Sequence, residues 1–339
     1  MESTDKLLSK IAKEKILIIG DVMIDAYMWG NVSRISPEAP VPVVAITRRE
    51  QRLGGAANVA LNIESLGATP IICSVLGNDD NGREFQQIMY QNNMDRRGII
   101  TSDNRITTVK SRVIGNNMHI VRVDEESTNS LSSFEEEMLL DRIKKIIKNL
   151  PIDAIIFQDY DKGNITPAVI EQVTRLAQNK GIFTSIDPKH RNFSNYRNAN
   201  LFKPNLKELK EGLNCEIDER DETTLTRDLE QAAKQLYDKQ HNDIVLTTLS
   251  NKGMFACDFR GGAVESVLIP AQVRTISDVS GAGDTVISVA TLAMAAGLNL
   301  YDAVRCANAA GGVVCEQVGV VPIDKERLRE EIDKLNIHF

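Results

Sequence analysis

The sequence has 339 residues, of which 42% are hydrophobic and 26% are charged, and its formal net charge is −7. This composition supports a sizeable apolar core, and the acidic balance argues against a nucleic-acid-binding protein. The five cysteines are scattered without Cys-x-x-Cys spacing, a pattern that favours reduced thiols over a zinc site or a disulfide framework.

Neither a signal peptide nor a membrane span is predicted. Residues 1–15 carry charges throughout and contain no apolar core of signal-peptide length. The longest nearly continuous apolar stretch, at 286–298, is too short to cross a bilayer. We therefore expect a cytoplasmic protein without a membrane partner.

The first predicted strand is the apolar run at 16–19, which ends in a Gly-Asp pair. A short apolar run of this kind is typical of a buried strand whose carboxyl end opens a site. The segment at 31–46 contains three prolines close together. They exclude a helix and a central strand, so we expect an edge strand or an extended flap here.

A glycine turn at 54–55 precedes a pattern typical of a helix that stops at Gly67, and 69–77 is predicted to be a second buried strand. Residues 105–124 alternate in polarity and are rich in β-branched side chains, which predicts an antiparallel hairpin. We expect the β segments at about 27–48 and 105–124 to form a small lid.

From residue 133 onward, predicted helices alternate with predicted strands. The helices and the strands that follow them are 134–150 and 153–160, 167–179 and 181–189, and 221–239 and 243–250. This alternation predicts an α/β fold, with a mostly parallel sheet and helices on both faces, in a single domain spanning 1–339. In such sheets ligands bind beyond the carboxyl ends of the strands, and these ends are polar here.

The segment DVSGAGDT at 278–285 precedes a long apolar run and is predicted to begin a helix. The first turn of a helix leaves N–H groups without partners and carries a partial positive charge, so small residues at 281–283 would let a phosphate approach. Asp284 would accept the proton of an attacking hydroxyl. The alternative is a glycine turn with an aspartate in the first helical turn and no catalytic role.

Asn205 and Glu208 are three residues apart near a predicted strand end and so share one helix face. An amide and a carboxylate in this arrangement could hold Mg²⁺ through its waters, because this ion keeps several waters and uses few protein ligands. The alternative is a helix cap in which Glu208 completes a capping box.

The segments GGAANVALNIESLGA, NLKE and DVSGAGDT together resemble those of the ribokinase-type (PfkB) carbohydrate kinases. The flap segment GDVMIDAYMWGNVSRISPEAPVPVV, with DYDKG and IDPK, narrows the resemblance to the D-glycero-β-D-manno-heptose 7-phosphate kinases, the kinase half of the ADP-heptose synthases. The resemblance covers about residues 15–325. The sequence departs from it at Leu249, where an arginine is expected, and at His190 and Arg191, where smaller residues are expected.

The resemblance implies a ribokinase-like fold with a β-lid, ATP as phosphoryl donor, Mg²⁺, and a monovalent cation such as K⁺. It implies that Asp284 is the general base and that Gly281, Ala282 and Gly283 form the anion hole. The residues implied to bind ATP and Mg²⁺ are Asn205, Glu208, Thr248, Gly253 and Asn308. Those implied to bind the substrate are Asp25, at the end of the first strand, with Gly54, Gly55, Asn58 and Asp159. The monovalent cation would lie at Asp278 and Ser280.

A phosphorylated sugar also needs cationic side chains, because arginine forks and lysine charges bind phosphate oxygens. The candidates are Arg34 in the flap, Arg112 in the hairpin, and Lys162 and Lys189 near strand ends. For each of them the alternative is an ordinary solvated surface charge. The sheet edges of the lid further predict a homodimer in which two lids pair.

The implied reaction is the ATP-dependent phosphorylation of heptose 7-phosphate at its anomeric hydroxyl, a step toward the ADP-heptose of lipopolysaccharide. The related synthases also carry a nucleotidyltransferase domain with a histidine pair. The four histidines of this chain are never two or three residues apart, so we expect no such domain here.

Two other functions stay open from the sequence. One is a kinase of the same fold that acts on another sugar or on a nucleoside. The other is a non-catalytic sugar-binding sensor, which the presence of Asp284 and of the glycines beside it opposes. A dinucleotide-dependent oxidoreductase is disfavoured, because no Gly-x-Gly-x-x-Gly follows the first strand.

Overall fold

The computed structural model describes residues 2–116, 118–272 and 276–339. The helices in these ranges are Glu2–Ile11 (α1), Ala56–Ser65 (α2), Asp80–Gln91 (α3), Ser133–Asn149 (α4), Pro167–Lys180 (α5), Leu206–Leu213 (α6), Glu222–Gln240 (α7), Ala282–Ala295 (α8), Leu300–Val314 (α9) and Lys325–Leu335 (α10). The strands are Lys15–Gly20 (β1), Val22–Ile35 (β2), Pro42–Gly55 (β3), Thr69–Gly77 (β4), Ile99–Ser102 (β5), Val109–Gly115 (β6), Met118–Glu125 (β7), Ala154–Gln158 (β8), Phe183–Asp187 (β9), Leu201–Phe202 (β10), Ile244–Thr248 (β11), Met254–Asp258 (β12) and Glu265–Ile269 (β13). Within these ranges, no helix has both the length and the apolar character of a membrane span.

The larger sheet has nine strands in the order β13–β12–β11–β10–β9–β8–β1–β4–β5. The strands from β11 to β5 run parallel, while β12 and β13 run antiparallel at one edge. The predicted α/β fold with a mostly parallel sheet is therefore confirmed. The antiparallel edge was not predicted, because its strands follow one another without the intervening helix that marks the rest of the pattern.

Helices cover both faces of this sheet, and each face has its own apolar core. Successive side chains of a strand point to opposite faces. Ile16 and Ile18 of β1 therefore pack in the core that contains α1, α2, α3, α8, α9 and α10. Leu17 and Ile19 pack in the core that contains α4, α5, α6 and α7. Burial on both sides explains why β1 is continuously apolar.

A second sheet of four strands, in the order β3–β2–β6–β7, forms the predicted lid. The pairing of β2 with β3 begins where Val22 faces Gly55, so the lid is longer than the predicted 27–48. Asp25 lies within β2 of the lid, and its predicted position at the end of the first strand was wrong. Pro42 begins β3, an edge strand, where a missing N–H group breaks no ladder.

The carboxyl ends of five neighbouring parallel strands meet at one edge of the larger sheet. The residues at these ends are Asp21 after β1, Gln158 of β8, Asp187 of β9, Lys203 after β10 and Thr248 of β11. β2 leaves this edge directly after Asp21, and β3 returns to it immediately before α2. The lid is thus anchored beside the strand ends, where the sequence predicts the site.

Candidate active site

The amino terminus of α8 offers backbone N–H groups to an anion. Gly281 is the N-cap residue, with φ of 81°, and no side chain caps the helix. The first four N–H groups of a helix have no intrahelical acceptor, which leaves those of Gly283 and Asp284 open. The Ala282 N–H donates to the carbonyl oxygen of Val279 at 3.3 Å. Of the three residues predicted to form the anion hole, Ala282 therefore has its N–H engaged in the turn.

Asp284, the predicted base, is only 4% exposed and accepts three side-chain hydrogen bonds. Asn58 Nδ2 donates to Oδ2 at 2.7 Å. Gln158 Nε2 donates to Oδ1 at 3.0 Å, and the Tyr160 hydroxyl donates to the same oxygen at 2.6 Å. Three donors from two distant parts of the chain, α2 and the end of β8, thus converge on one carboxylate, and only Asn58 among them was named from the sequence.

The surroundings of Asp284 move its pKa toward neutrality. Burial raises the pKa from its ordinary value of 3.8 to about 6, and the charge of Asp187 acts in the same direction. The hydrogen bonds from Asn58 and Tyr160 and the charge of Lys203 oppose this rise. A carboxylate with this pKa is ionised at pH 7 and still basic enough to accept a proton.

A buried ion pair lies beside the start of α8. Lys203 Nζ is 3.0 Å from Asp187 Oδ2, and both side chains are almost fully buried. Lys203 Nζ is also 3.8 Å from the position that a Cβ atom at Gly283 would take. Neither residue was given a role from the sequence, although both lie at strand ends that were predicted to be polar.

Glycines bring α2 and the lid close to the strand ends. Gly55 has φ of 62°, and a methyl group there would overlap the carbonyl oxygen of Asp21. A methyl group at Gly54 would overlap Oδ2 of Asp25. These glycines, which were predicted to bind substrate, therefore allow the close packing that places Asp25 and Asn58 at the site.

The cations predicted for the substrate phosphate have different surroundings. Arg112 forms an ion pair with Asp25, and Lys189 forms one with Glu208. Lys162 is paired with Glu126 at 2.8 Å. Arg34 is exposed and lies nine residues beyond Asp25 along β2, or about 30 Å at ~3.3 Å per residue. The assignment of Arg34 to the substrate phosphate stays a prediction.

Lys110 is a cation that the sequence analysis did not single out. It lies on the lid strand β6, with Nζ 5.7 Å from the centre of the Tyr160 ring. Burial lowers its pKa, and the nearby charge of Lys162 lowers it further. Lys110 and Arg112 are two residues apart in β6, so their side chains lie on the same face of the strand. This spacing is the sequence signal from which Lys110 could have been predicted.

Asp159 is held in a buried network and does not offer a free carboxylate. Its Oδ2 accepts hydrogen bonds from the Tyr196 hydroxyl at 2.7 Å and from Asn192 Nδ2 at 3.1 Å. Its Oδ1 accepts one from the N–H group of Asp161 at 2.9 Å. Only 1% of Asp159 is exposed. The structure thus shows this residue in a buried hydrogen-bond network, and its contact with the substrate stays a prediction.

Asn205 and Glu208 form the capping box of α6, as the alternative interpretation predicts. The Asn205 side chain accepts from the Glu208 N–H at 2.8 Å, and Glu208 Oε2 accepts from the Asn205 N–H at 2.9 Å. Glu208 Oε1 is paired with Lys189. Asn205 also forms an isolated bridge with Thr248, which brings the predicted nucleotide residues to the end of β11.

Gly253 and Asn308 are also predicted to bind ATP, and both approach the backbone at 269–270. A methyl group at Gly253 would overlap the carbonyl oxygen of Ile269, and Gly253 has φ of 98°. Asn308 Nδ2 donates to the carbonyl oxygen of Pro270 at 2.9 Å. These two residues therefore both approach the chain at 269–270, where β13 ends.

Asp278, predicted to bind a monovalent cation, caps a turn beside α8. Its Oδ1 accepts from the N–H group of Ser280 at 2.9 Å, and its Oδ2 accepts from that of Gly319 at 2.9 Å. Asp278 and Ser280 are thus in direct contact, and the cation expected between them stays a prediction. In the part of the chain that the structure describes, no three His, Cys, Asp or Glu side chains are grouped closely enough to hold a metal ion.

The comparisons with known proteins identify the family. The chain matches the model of the pfkB family carbohydrate kinases over residues 13–326. The bifunctional protein HldE of Wolinella succinogenes is 39% identical over 313 residues, which cover 92% of this chain and 63% of the relative. The HldE of Geotalea uraniireducens is 38% identical over 330 residues, covering 97% and 65%. The chain therefore spans slightly less than two thirds of the length of these relatives.

Solved structures share the fold at low identity. Phosphofructokinase-2 from Escherichia coli in complex with potassium has a TM-score of 0.76 at 19% identity, with 95% of this chain and 99% of that chain covered. Arabidopsis thaliana ribokinase complexed with ribose and ATP has a TM-score of 0.69 at 15% identity, with 94% and 99% covered. The predicted ribokinase-like fold is thus confirmed. From the family match, we conclude that the chain belongs to the pfkB family of carbohydrate kinases, the class of enzyme that its motifs predict.

Proposed function

We propose that the chain phosphorylates D-glycero-β-D-manno-heptose 7-phosphate at its anomeric hydroxyl, with ATP as donor, in a route to ADP-heptose. The observation that carries the proposal is Asp284, a buried carboxylate with three hydrogen-bond donors at the open amino terminus of α8. The resemblance of the flap to heptose 7-phosphate kinases, together with the identity to HldE proteins, supports the choice of acceptor.

In the proposed step, Asp284 accepts the proton of the anomeric hydroxyl while that oxygen forms a bond to the γ-phosphorus of ATP. The bond from this phosphorus to the β–γ bridging oxygen breaks, and ADP leaves with the electron pair. An anomeric hydroxyl is more acidic than an ordinary alcohol, which makes a carboxylate a sufficient base. The N–H groups of Gly283 and Asp284 and the ammonium group of Lys203 stabilise the charge on the transferred group.

We assign Lys110 and Lys162 to the phosphate that the acceptor already carries. Burial and the charge of Lys162 both lower the pKa of Lys110. A bound phosphate would relieve this repulsion and favour the charged form of Lys110. Arg112, which is paired with Asp25 as Lys162 is with Glu126, is a further candidate. Asp25 itself remains the candidate for the sugar hydroxyls.

We assign the nucleotide to the side of Asn205, Glu208, Thr248, Gly253 and Asn308. Glu208 and Asn205 supply oxygen atoms there, the donor type that Mg²⁺ prefers, and would bind the ion through its waters. When bound, Mg²⁺ would neutralise charge on the donor phosphates. A monovalent cation at Asp278 and Ser280 is supported by the potassium complex of the E. coli phosphofructokinase-2 of the same fold.

We also propose a homodimer formed by two lids. β7 is an edge strand of the lid sheet and exposes Val121 and Val123 on one face. Ile35 and Ile46 of the lid are exposed as well. An exposed apolar edge of this kind is suited to pairing with a second copy, which would cover it.

The release of ADP from ATP and Mg²⁺, measured with different acceptors, tests the proposed function. The acceptors are heptose 7-phosphate, fructose 6-phosphate, ribose and adenosine. We expect kcat/KM to be higher for heptose 7-phosphate by about tenfold or more, since one charged hydrogen bond contributes ~1.5–3 kcal/mol. Preference for another acceptor would keep the kinase and contradict the heptose assignment. Absence of turnover with all four would favour the sugar-binding sensor.

A further inference from the structure

Tyr160 makes the shortest of the three hydrogen bonds to Asp284, and the step described above does not use it. Its hydroxyl oxygen lies 2.6 Å from Asp284 Oδ1, and Gln158 Nε2 lies 3.0 Å from the same oxygen. An ionised carboxylate only accepts hydrogen bonds, so these groups donate to it. Each donor therefore favours the ionised form of Asp284 over the protonated form.

The phenol group acts here as a donor and not as a second base. Burial raises the pKa of Tyr160 well above its usual value of 10, and the charge of Asp284 raises it further. The hydroxyl proton is consequently retained throughout the working pH range of a folded enzyme. Tyr160 thus supplies a permanent hydrogen-bond donor to the base.

Asp21 anchors the backbone that carries Tyr160. Its Oδ2 accepts hydrogen bonds from the N–H groups of Tyr160 at 2.9 Å and of Lys162 at 3.0 Å. Its Oδ1 accepts one from the N–H group of Asn164 at 3.0 Å. Asp21 is fully buried, and Asp161 in the middle of the turn has φ of 57°. One carboxylate at the end of β1 therefore organises the whole turn.

The Tyr160 ring also adjoins the cations of both substrate sides. Lys110 Nζ lies 5.7 Å from the ring centre, and Lys189 Nζ lies 5.9 Å from it. Lys110 belongs to the lid, and Lys189 is paired with Glu208 on the nucleotide side. The ring thus stands where the lid, the nucleotide side and the base meet.

Few other charged groups face Asp284 from the neighbouring elements. Asp187 of β9 raises its pKa, and Lys203, after β10, lowers it. Asp187 and Lys203 carry opposite charges and form an ion pair with each other, so their effects on the pKa of Asp284 oppose each other. Lys189 also interacts favourably with Asp284. The neutral donors, including Tyr160, therefore have a large share in setting the protonation state of the base.

We propose that the Tyr160 hydroxyl is a positioning group for the reaction, which keeps Asp284 ionised and oriented toward the acceptor hydroxyl, and that Asp21 holds Tyr160 in place for it. The proposal rests on the proposed function for the role of Asp284 as base. The hydrogen bond and its effect on the carboxyl group do not depend on which acceptor is used.

Tyr160→Phe tests the proposal, because it keeps the ring and removes the hydroxyl. The Asp284 carboxyl is titrated by carbon-13 NMR in the protein without ligands, and its resonance is assigned by its loss in Asp284→Asn. We expect the midpoint to rise by about one pH unit, since a hydrogen bond to the charged form is lost. The acid limb of the kcat/KM profile should move to higher pH by the same amount, with the KM for ATP unchanged.

Tyr196→Phe is the matched control, because Tyr196 donates at 2.7 Å to another buried carboxylate, that of Asp159. This variant should leave the Asp284 midpoint unchanged. Asp21→Asn is a second variant, which replaces one acceptor oxygen of the turn and should raise the midpoint in the same direction. An Asp284 midpoint equal to that of the wild type in Tyr160→Phe, or in Asp21→Asn if the former does not fold, overturns the proposal whatever the acceptor assays give.

Discussion

The ionised carboxylate of Asp284 carries a free-energy cost in the folded protein. Its pKa is raised from 3.8 to about 6, so between these pH values the folded state binds more protons than the unfolded state. Stability therefore falls as pH rises through this window and stays lower above it. A shift of this size corresponds to a loss on the order of 3 kcal/mol at pH 7. The ionised Asp284, which the proposed reaction needs as its base, thus lowers the stability of the folded protein.

Asp284→Asn should consequently be at least as stable as the wild type at pH 7. The neutral amide removes the cost of the buried charge, and Asn58, whose Oδ1 has no partner among the described residues, is able to rotate its amide and accept from the new side chain. We expect a higher unfolding temperature for the variant at pH 7 and a smaller difference at pH 4. Calorimetry at the two pH values makes this measurement.

The control for this prediction is Asp302→Asn. Asp302 occupies the same position in the first turn of α9 and is equally buried, but it is paired with Arg305 at 3.0 Å. Removing its charge leaves the Arg305 charge without its partner, and the variant should lose stability at pH 7. A lower unfolding temperature for Asp284→Asn than for the wild type at pH 7 would argue against a costly charge at this position.

At the residue scale, the sequence predicts those site residues that belong to a short, recognisable sequence motif. Asp284 follows a glycine turn and precedes an apolar run, and Asn58 follows another such turn, so their chemistry is recognisable without the fold. Gln158 and Tyr160, at the end of β8, donate to Asp284, and Lys203, after β10, acts on its charge, from positions more than 80 residues away in sequence. No local pattern connects them, because only the order of the strands brings these ends together.

At the scale of the elements, α6 combines an observed task with a proposed one. Asn205 caps the helix, and it lies beside Thr248, where we propose that the nucleotide binds. The sequence pattern Asn-x-x-Glu is compatible with both tasks, and the structure shows the capping box directly. The proposed contact with ATP and Mg²⁺ therefore has to be separated from the cap by substitutions that change only one of them.

Asn205→Asp and Asn205→Ala make this separation. Aspartate keeps a capping oxygen, so stability should stay near the wild-type value, while the added negative charge opposes the phosphates and should raise the KM for ATP. Alanine removes the cap and should cost about 1 kcal/mol in the free energy of unfolding. Urea unfolding and the dependence of the rate on ATP concentration give the two quantities.

Asn299→Ala is the matched control, since Asn299 caps α9 by the same contact, accepting from the N–H group of Asp302 at 2.9 Å. It should lose similar stability and keep the wild-type KM for ATP. A wild-type KM for ATP in Asn205→Asp would remove Asn205 from the proposed nucleotide site and leave it only the cap.

The elements themselves were predicted well where a period or a turn marks them. The lid hairpin, the helix α2 and the strand–helix alternation after residue 133 were all predicted from pattern and turn residues. The length of the lid was not, because the pairing of β2 with β3 continues through the polar residues at 48–52, where alternation alone gives no apolar face. β10 has two residues, too few for any period to show.

At the scale of the whole molecule, the proposed dimer gives a partner to the exposed apolar residues of the lid. Val121→Glu with Val123→Glu would place two charges on the apolar edge strand β7, where half of each valine side chain is exposed. We expect the wild type to sediment as a dimer at micromolar concentration and the double variant as a monomer. Charges facing each other across a paired edge oppose association.

The control for the lid is Val264→Glu, because Val264 is 55% exposed and lies outside the lid, before β13. This variant should sediment as the wild type does. A wild type that is monomeric at micromolar concentration would contradict the proposed pairing of lids.

The most direct test of the account is the activity of Asp284→Asn with heptose 7-phosphate, ATP and Mg²⁺, compared with that of Asp302→Asn at a temperature where both are folded. If Asp284 is the base, its loss should lower kcat by about 10²–10⁴-fold. Asp302→Asn, with the same change at the same position of the next helix, should keep a kcat near the wild-type value. A kcat within a factor of about three of the wild type in Asp284→Asn would contradict general-base catalysis at this residue.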